Sequence, residues 1–373
     1  MRKIKISIVA LALALTIIEP ANANLLPKSF IKLANSPALA HPGIIVIDPN
    51  GDQTLFSDNA DTLRAPASVL KLVSMTAAVK TLGPDKVFNT AIYSTNQPDT
   101  YALIGDRDPW LTATPYEEAK YHRAFSPTLI NAILKEHPGL RTINLDVNGV
   151  YSADLEILKR FYRRHLIINI NQIPSSDTLK AEAVTKLAEI SSPPLKDIVQ
   201  FTLLWSDNIL ADRLARSAAM QMGFGTDVAG IQGAFEKTLG DMGISTDGLQ
   251  VFDGNGLSHD TKISTRTIAD LLLKIKSDPA LNVIYEGLPL AGKTGTLKTR
   301  FVNDAPKAVG LVKAKTGWIN TSVSLAGYVN VGQEQYVFAV IADHVKPYER
   351  YRAQAREAID KMLATIAKPS PTN

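Results

Sequence analysis

Apolar and polar positions change period several times along the chain, and each change marks an element. Residues 43–57 form two short apolar runs around Asn50-Gly51, which predicts a β-hairpin. The run VLKLVSMTAAVKTL after Ala65-Pro66-Ala67-Ser68 is apolar almost all round, with Gly83-Pro84 behind it. That predicts a buried helix opened by Ser68 and stopped by glycine and proline. Between about 91 and 189 the pattern breaks into shorter pieces. Strands are expected at 91–94, 101–104 and 143–151, a helix near 127–135, and a solvated basic helix face at Lys159, Arg160, Arg163 and Arg164. Helical periodicity returns after Pro193-Pro194 at 195–204, from Asn208 to Met222, and over 265–276. Strand patterns follow at 308–315, 322–331 and 336–342. Ile359, Met362, Leu363 and Ile366 then line one face of a last helix, and 368–373 is expected as a frayed tail. This order gives an α/β (α+β) domain from 24–90 and 190–373, with 91–189 as an inserted subdomain.

The first residues have a different purpose. Arg2, Lys3 and Lys5 precede an apolar run of 13 residues, 6–18, and then Glu19-Pro20 and Ala21-Asn22-Ala23. That order is a secretory signal peptide over 1–23, with a mature start near Asn24 and a periplasmic destination. Thirteen residues are too few to cross a bilayer, and no later stretch approaches 18 uninterrupted apolar residues, so no transmembrane anchor is expected after cleavage.

Composition narrows the chemistry. The chain of 373 residues is 45% hydrophobic and 20% charged, enough for a proper core. It has no cysteine, which excludes thiol catalysis, iron–sulfur clusters and thiolate zinc sites. Six histidines lie in no metal-ligand spacing, so neither a metal nor another cofactor is expected. The formal charge of +4 falls to +2 without residues 2–19, too balanced to suggest nucleic acid.

Three short motifs used together by active-site serine enzymes each occur twice. Ser-x-x-Lys fits Ser29/Lys32 and Ser68/Lys71; Ser-Asp-Asn fits Ser57–Asn59 and Ser206–Asn208; Lys-Thr-Gly fits Lys293–Gly295 and Lys315–Gly317. Context separates the copies. A serine hydroxyl needs a base, and a lysine three residues on along a helix shares its face. Lys71 interrupts an apolar run, where desolvation lowers a lysine pKa toward the working pH. Ser29/Lys32 lies in a short exposed-looking stretch and is assigned to chance. Ser206 and Asn208 fall between two helices, where a loop aims a proton relay and a substrate-holding amide into a cleft. Ser57–Asn59 ends a hairpin strand and reads as a turn. Lys315-Thr316-Gly317 ends a strand run before an antiparallel return, which suits carboxylate binding with close backbone approach. Lys293 opens a glycine-rich turn instead.

In that order the chain resembles the D-alanyl-D-alanine carboxypeptidase/endopeptidase family of DacB type, low-molecular-mass class C penicillin-binding proteins. Further likenesses are Ser192-Pro193-Pro194-Leu195 before Trp205–Asn208, Phe252-Asp253-Gly254-Asn255-Gly256-Leu257-Ser258, Gly295-Thr296-Leu297 with Arg300-Phe301, and Leu325-Ala326-Gly327-Tyr328 after Lys315–Gly317. The resemblance implies a serine β-lactamase/transpeptidase-like fold, its antiparallel sheet packed on helices. It implies Ser68 as nucleophile on peptidoglycan stem peptides, Lys71 as base and Ser206 as proton shuttle. Asn208, Lys315, Thr316, Gly317 and Trp318 are implied as the substrate-binding set, with β-lactam antibiotics acylating Ser68. The backbone N–H groups of Ser68 and Trp318 are implied as the oxyanion hole.

Two departures from the family pattern carry expectations. Trp318 stands where the family usually has Thr or Ser, so a hydroxyl is lost and a bulky ring added at the cleft. Weaker carboxypeptidase activity or an altered substrate range follows. Only 138 positions separate Ser68 from Ser206, which points to a reduced insert and leaves endopeptidase access to cross-links an open question. Rival readings are a non-catalytic cell-wall scaffold with a degenerate site, or a β-lactamase, for which no clear Glu-x-x-x-Asn element occurs between Asn208 and Lys315.

Overall fold

The computed structural model describes residues 26–48, 50 and 53–371. The expected signal peptide and Gly51 of the hairpin turn lie outside them. The described residues open with a helix, Lys28–Ala34, and the hairpin strands β1 (Gly43–Asp48) and β2 (Gln53–Asp58). The 3-10 turn Ala67–Leu70 then leads into the helix Lys71–Leu82, which is buried from Lys71 through Val79. An insert follows with β3 (Asn89–Thr95), β4 (Thr100–Gly105), β5 (Leu111–Thr112), β6 (Ala124–Phe125), β7 (Thr142–Asn148), β8 (Ile167–Gln172) and β9 (Ala183–Ser191). The helices Leu195–Trp205, Asn208–Gln221, Val228–Asp241 and Thr265–Ser277 come next. Strands β10 (Val312–Ile319), β11 (Ser322–Val331) and β12 (Glu334–Ala342) and the helix Glu349–Ala364 complete the chain.

The body is built on an antiparallel sheet in the order β10-β11-β12-β1-β2. Both faces are covered, which explains why β1 reads as an unbroken apolar run rather than an alternation. Ile45 and Ile47 face the helices Lys71–Leu82, Leu195–Trp205 and Thr265–Ser277, whereas Ile44 and Val46 face the first and last helices. The Ser29/Lys32 stretch is therefore a helix docked through Phe30 and Ala34, with Lys32 exposed.

The second sheet, ordered β8-β7-β4-β3-β9, belongs to the insert and encloses its own core around Ile92, Leu103, Ile130, Leu145 and Leu158. β3 and β9 pair, so the insert leaves the body where it entered. Ser192 N–H donates to Phe88 O at 2.8 Å, and its Oγ accepts from Phe88 N at 3.0 Å. Arg160, Arg163 and Arg164 are exposed, as expected of a solvated face.

Several expectations need correction. β10 begins at Val312, not 308, because residues 306–308 form a 3-10 turn and Gly310 adopts a positive φ of 76°. It continues through Ile319, so Lys315-Thr316-Gly317 lies inside the strand rather than at its end. The tail is docked through Ser370: Lys368 N donates to Asn330 O at 2.9 Å and Ser370 Oγ to Gly332 O at 2.8 Å. No helix among the described residues is long and apolar enough to cross a membrane.

Candidate active site

The segment before Ser68 is tied down by side chains from β11 and from the residue that follows β12. Asp343, just past β12, accepts from Arg64 at 2.8 Å and from Ala65 N at 3.1 Å. Ser322 and Ser324 of β11 donate to Ala65 O and Pro66 O at 2.7 and 2.6 Å. These contacts hold Ala67 at φ 49°, a left-handed conformation unfavourable for a residue with a Cβ. Ser68 thus lies in the 3-10 turn rather than at the α-helix cap, and Lys71 is the first α-helical residue.

Lys71 is fully buried. Its Nζ lies 2.7 Å from Ser68 Oγ, 2.8 Å from Asn208 Oδ1 and 2.7 Å from Asn255 O. Burial pushes its pKa down to about 7, against the opposing pull of Asp253 and Asp207. Amide oxygens can only accept, so Asn208 and Asn255 take two N–H bonds. A neutral amine then turns its lone pair toward the Ser68 hydroxyl. The Asp253–Ser258 loop is shaped for this contact: Asp253 accepts from Gly256 N and Ser258 N, each at 2.7 Å. Gly256, at φ 82°, has no room for a Cβ, which would lie 2.0 Å from Ala67 O.

A second pair sits across the cleft. Ser206 holds a left-handed φ of 59° between its two helices, and Lys315 Nζ donates to its Oγ at 2.9 Å and to Thr316 O at 2.8 Å. Lys315 is fully buried, and burial together with the charge of Lys71 drives its pKa well below the ordinary lysine value. The two lysines therefore disfavour simultaneous protonation, an arrangement suited to passing one proton between Ser68, Lys71, Ser206 and Lys315. Thr316 Oγ1 donates to Thr296 Oγ1 at 2.8 Å. Gly317 faces Ser324, Pro66 and Ser68, where an added Cβ would lie 2.9 Å from Ser68 N. Its smallness serves the approach of β10 to the Ser68 turn.

The structure thus brings Ser68, Lys71, Ser206, Asn208, Lys315, Thr316, Gly317 and Trp318 to one cleft. Two adjoining cavities of about 350 and 540 Å³ share Ser68, Ser206, Thr296 and Trp318. Asn208 differs from expectation in engaging Lys71 through its side-chain oxygen. Ser29/Lys32 and Ser57–Asn59 lie elsewhere. The first Lys-Thr-Gly is an exposed turn, although Thr296 beside it enters the site. Sequence reasoning missed Asn255, whose contribution is a backbone carbonyl and leaves no side-chain signal. It also missed Arg123 of the insert, which donates to Asp207 at 3.2 Å while packed against the Trp110 and Phe201 rings.

Comparison with known proteins gives a consistent picture. The chain is 26% identical over 382 residues to carboxypeptidase DacB of Mycolicibacterium smegmatis, covering 88% of this chain and 82% of that one. It is 34% identical over 161 residues to a D-alanyl-D-alanine carboxypeptidase of Actinomadura, covering 42% of this chain and 29% of the relative. Penicillin binding protein 4 (dacB) of Haemophilus influenzae shares the fold, with TM-score 0.68, 19% identity and coverage of 88% and 98%. A predatory peptidoglycan endopeptidase of Bdellovibrio bacteriovorus does so with TM-score 0.61, 17% identity and coverage of 89% and 94%. The sequence pattern of one family matches residues 28–154 and 155–366, and the protein belongs to that family, the D-Ala-D-Ala carboxypeptidase 3 (S13) family of serine peptidases.

Proposed function

We propose that the protein is a periplasmic serine D-Ala-D-Ala carboxypeptidase acting on peptidoglycan stem peptides, with Ser68 as nucleophile. The observation that carries this reading is the pair of buried lysines, each hydrogen-bonded to a serine in one cleft. Neutral Lys71 takes the Ser68 proton as Oγ attacks the penultimate D-alanine carbonyl. The N–H groups of Ser68 and Trp318 receive the oxyanion. Ser206, polarised by Lys315, delivers a proton to the leaving amine, and the terminal carboxylate rests on Thr316 and Thr296. Water then hydrolyses the acyl-enzyme. Asn208 positions Lys71.

A β-lactam ring presents the same carbonyl and carboxylate, so penicillin is expected to acylate Ser68. The acyl-enzyme should be long-lived, because Glu349, the carboxylate lining the cleft beside Ser68 among the described residues, is paired with Arg352 and Arg356. Intact-protein mass spectrometry of the mature chain after penicillin exposure tests the assignment. A stable adduct absent from Ser68→Ala is expected. An adduct that persists in Ser68→Ala would sink the nucleophile assignment, and no adduct with rapid antibiotic hydrolysis would make the protein a β-lactamase.

A further inference from the structure

The Trp318 side of the cleft is completed by an element outside all three motifs, the first turns of the helix Glu349–Ala364. Thr316 and Trp318 are two residues apart on β10, so their side chains leave one face of the sheet about 7 Å apart. The indole is 58% exposed, yet it is held in place. The Arg352 guanidinium lies 5.6 Å from its ring centroid. Arg352 in turn donates to Asn320 O at 3.1 Å and to the Glu349 carboxylate at 2.9 and 3.1 Å. Arg356 donates to the other oxygen of Glu349. The Arg352 side chain is only 12% exposed, which strengthens its attraction to the ring face.

This assembly borders the place where a leaving group must go. The 350 Å³ cavity containing Thr296 and Thr316 is bounded by Trp318, Glu349 and Arg356. That is near the lower end of ligand pockets, roughly 300–1,000 Å³. We infer that Trp318, clamped by Arg352, is a specificity wall on the leaving-group side. It admits the single terminal D-amino acid of an uncross-linked stem peptide and turns away a leaving group that carries a second stem peptide. The inference rests on the carboxypeptidase reading, since it seats the terminal carboxylate at Thr316. In both substrates the same kind of amide breaks and the same acyl half stays on Ser68. Only the departing amine differs, so the wall acts on the ratio of the two activities. Penicillin has no second stem, so formation of its adduct does not require the wall to let one pass.

The test compares wild type, Trp318→Thr, Arg352→Ala and Arg352→Lys on a purified monomeric pentapeptide muropeptide and a purified cross-linked dimer, with products separated by chromatography. Wild type is expected to favour the monomer in kcat/KM by at least about tenfold, within the range a steric pocket supplies. Trp318→Thr should shrink that preference about tenfold. Arg352→Ala should shrink it about threefold, with Arg352→Lys in between, because the lysine keeps a cation over the ring. Arg352→Ala should still form the penicillin adduct on Ser68 to completion, which separates a mobile indole from a misfolded site. An unchanged ratio in Trp318→Thr, or equal use of both substrates by wild type, overturns the wall alone. A wild type that neither hydrolyses the monomer nor binds penicillin overturns the carboxypeptidase reading and the wall with it.

Discussion

The two Lys-Thr-Gly segments are identical in composition and opposite in physics. Lys315 lies inside a strand whose partner on β11 is Ala326, and its ammonium is fully buried with Ser206 Oγ and Thr316 O as acceptors. Lys293 lies in a loop, exposed, and the Thr294 hydroxyl after it accepts from Leu290 N at 2.9 Å to hold that turn. One lysine is desolvated beside a second lysine, and the other is in water. Three letters therefore carry chemistry only where the fold takes the cation out of solvent and gives it a serine to act on. The exposed copy still matters in one respect, because the residue that follows it reaches the site.

The largest test of this contrast is to remove each lysine. Lys315→Ala should lower the second-order rate of penicillin acylation by about 100-fold or more, the scale of losing a positioned proton-transfer or electrostatic group. Lys293→Ala should leave it within about twofold, as for an exposed side chain away from the site. Stopped-flow acylation with a fluorescent penicillin reads both, and comparable losses would mean the wrong copy has been placed in the site.

A smaller effect should appear on changing pH. With a folded pKa of about 7, Lys71 loses the neutral form that the proposed base role requires about tenfold per pH unit below that value. The acylation rate should therefore climb through pH 7 and level off above it; a flat profile from pH 5.5 to 8.5 would argue against Lys71 as base. The same shift has a stability consequence of definite sign. Between about 7 and the ordinary 10.5, the unfolded chain holds a proton on Lys71 that the folded chain lacks. The folding penalty is fully present below 7 and fades as pH rises across that window. Lys315, lowered for the same main reason, acts in the same direction. The urea midpoint should be higher at pH 9 than at pH 6.5.

Much of the body was legible because burial left marks in sequence. The helix after Ser68 is apolar on all sides, and Lys71 inside it stands out as a cation needing a reason. The β11–β12 pair also reads clearly, since its strands are long and apolar. The insert was harder: β9 mixes exposed polar positions with half-buried Leu187, Ala188 and Ile190 and shifts register against β3, so its pairing supplies an order that side-chain pattern does not announce. The helix Val228–Asp241 contains Gly230, Gly233 and Gly240, which weaken the helical signal. Gly230 is required by packing, as a Cβ there would lie 2.5 Å from Gly225 O. Contacts such as Arg123 with Asp207, 84 residues apart, exist only once two units have docked.

The finest test uses two threonines that are two residues apart. Thr316 and Thr296 have one hydroxyl hydrogen each, and one of these is used between them. On the proposed carboxylate seat the remaining one is free to donate to the substrate, and the pair would work as a short relay rather than as two independent donors. In Thr296→Ala the Thr316 hydroxyl is freed to donate directly, and the loss is limited to one neutral hydrogen bond, about 1 kcal/mol or fivefold. That loss should appear in KM for a D-Ala-D-Ala peptide, with kcat and Tm nearly unchanged. Thr294→Ala should do the reverse, lowering Tm through the lost turn contact with Leu290 and leaving KM alone. Equal KM changes in the two variants would show that Thr296 only supports the turn, and would return the carboxylate seat to Thr316 by itself.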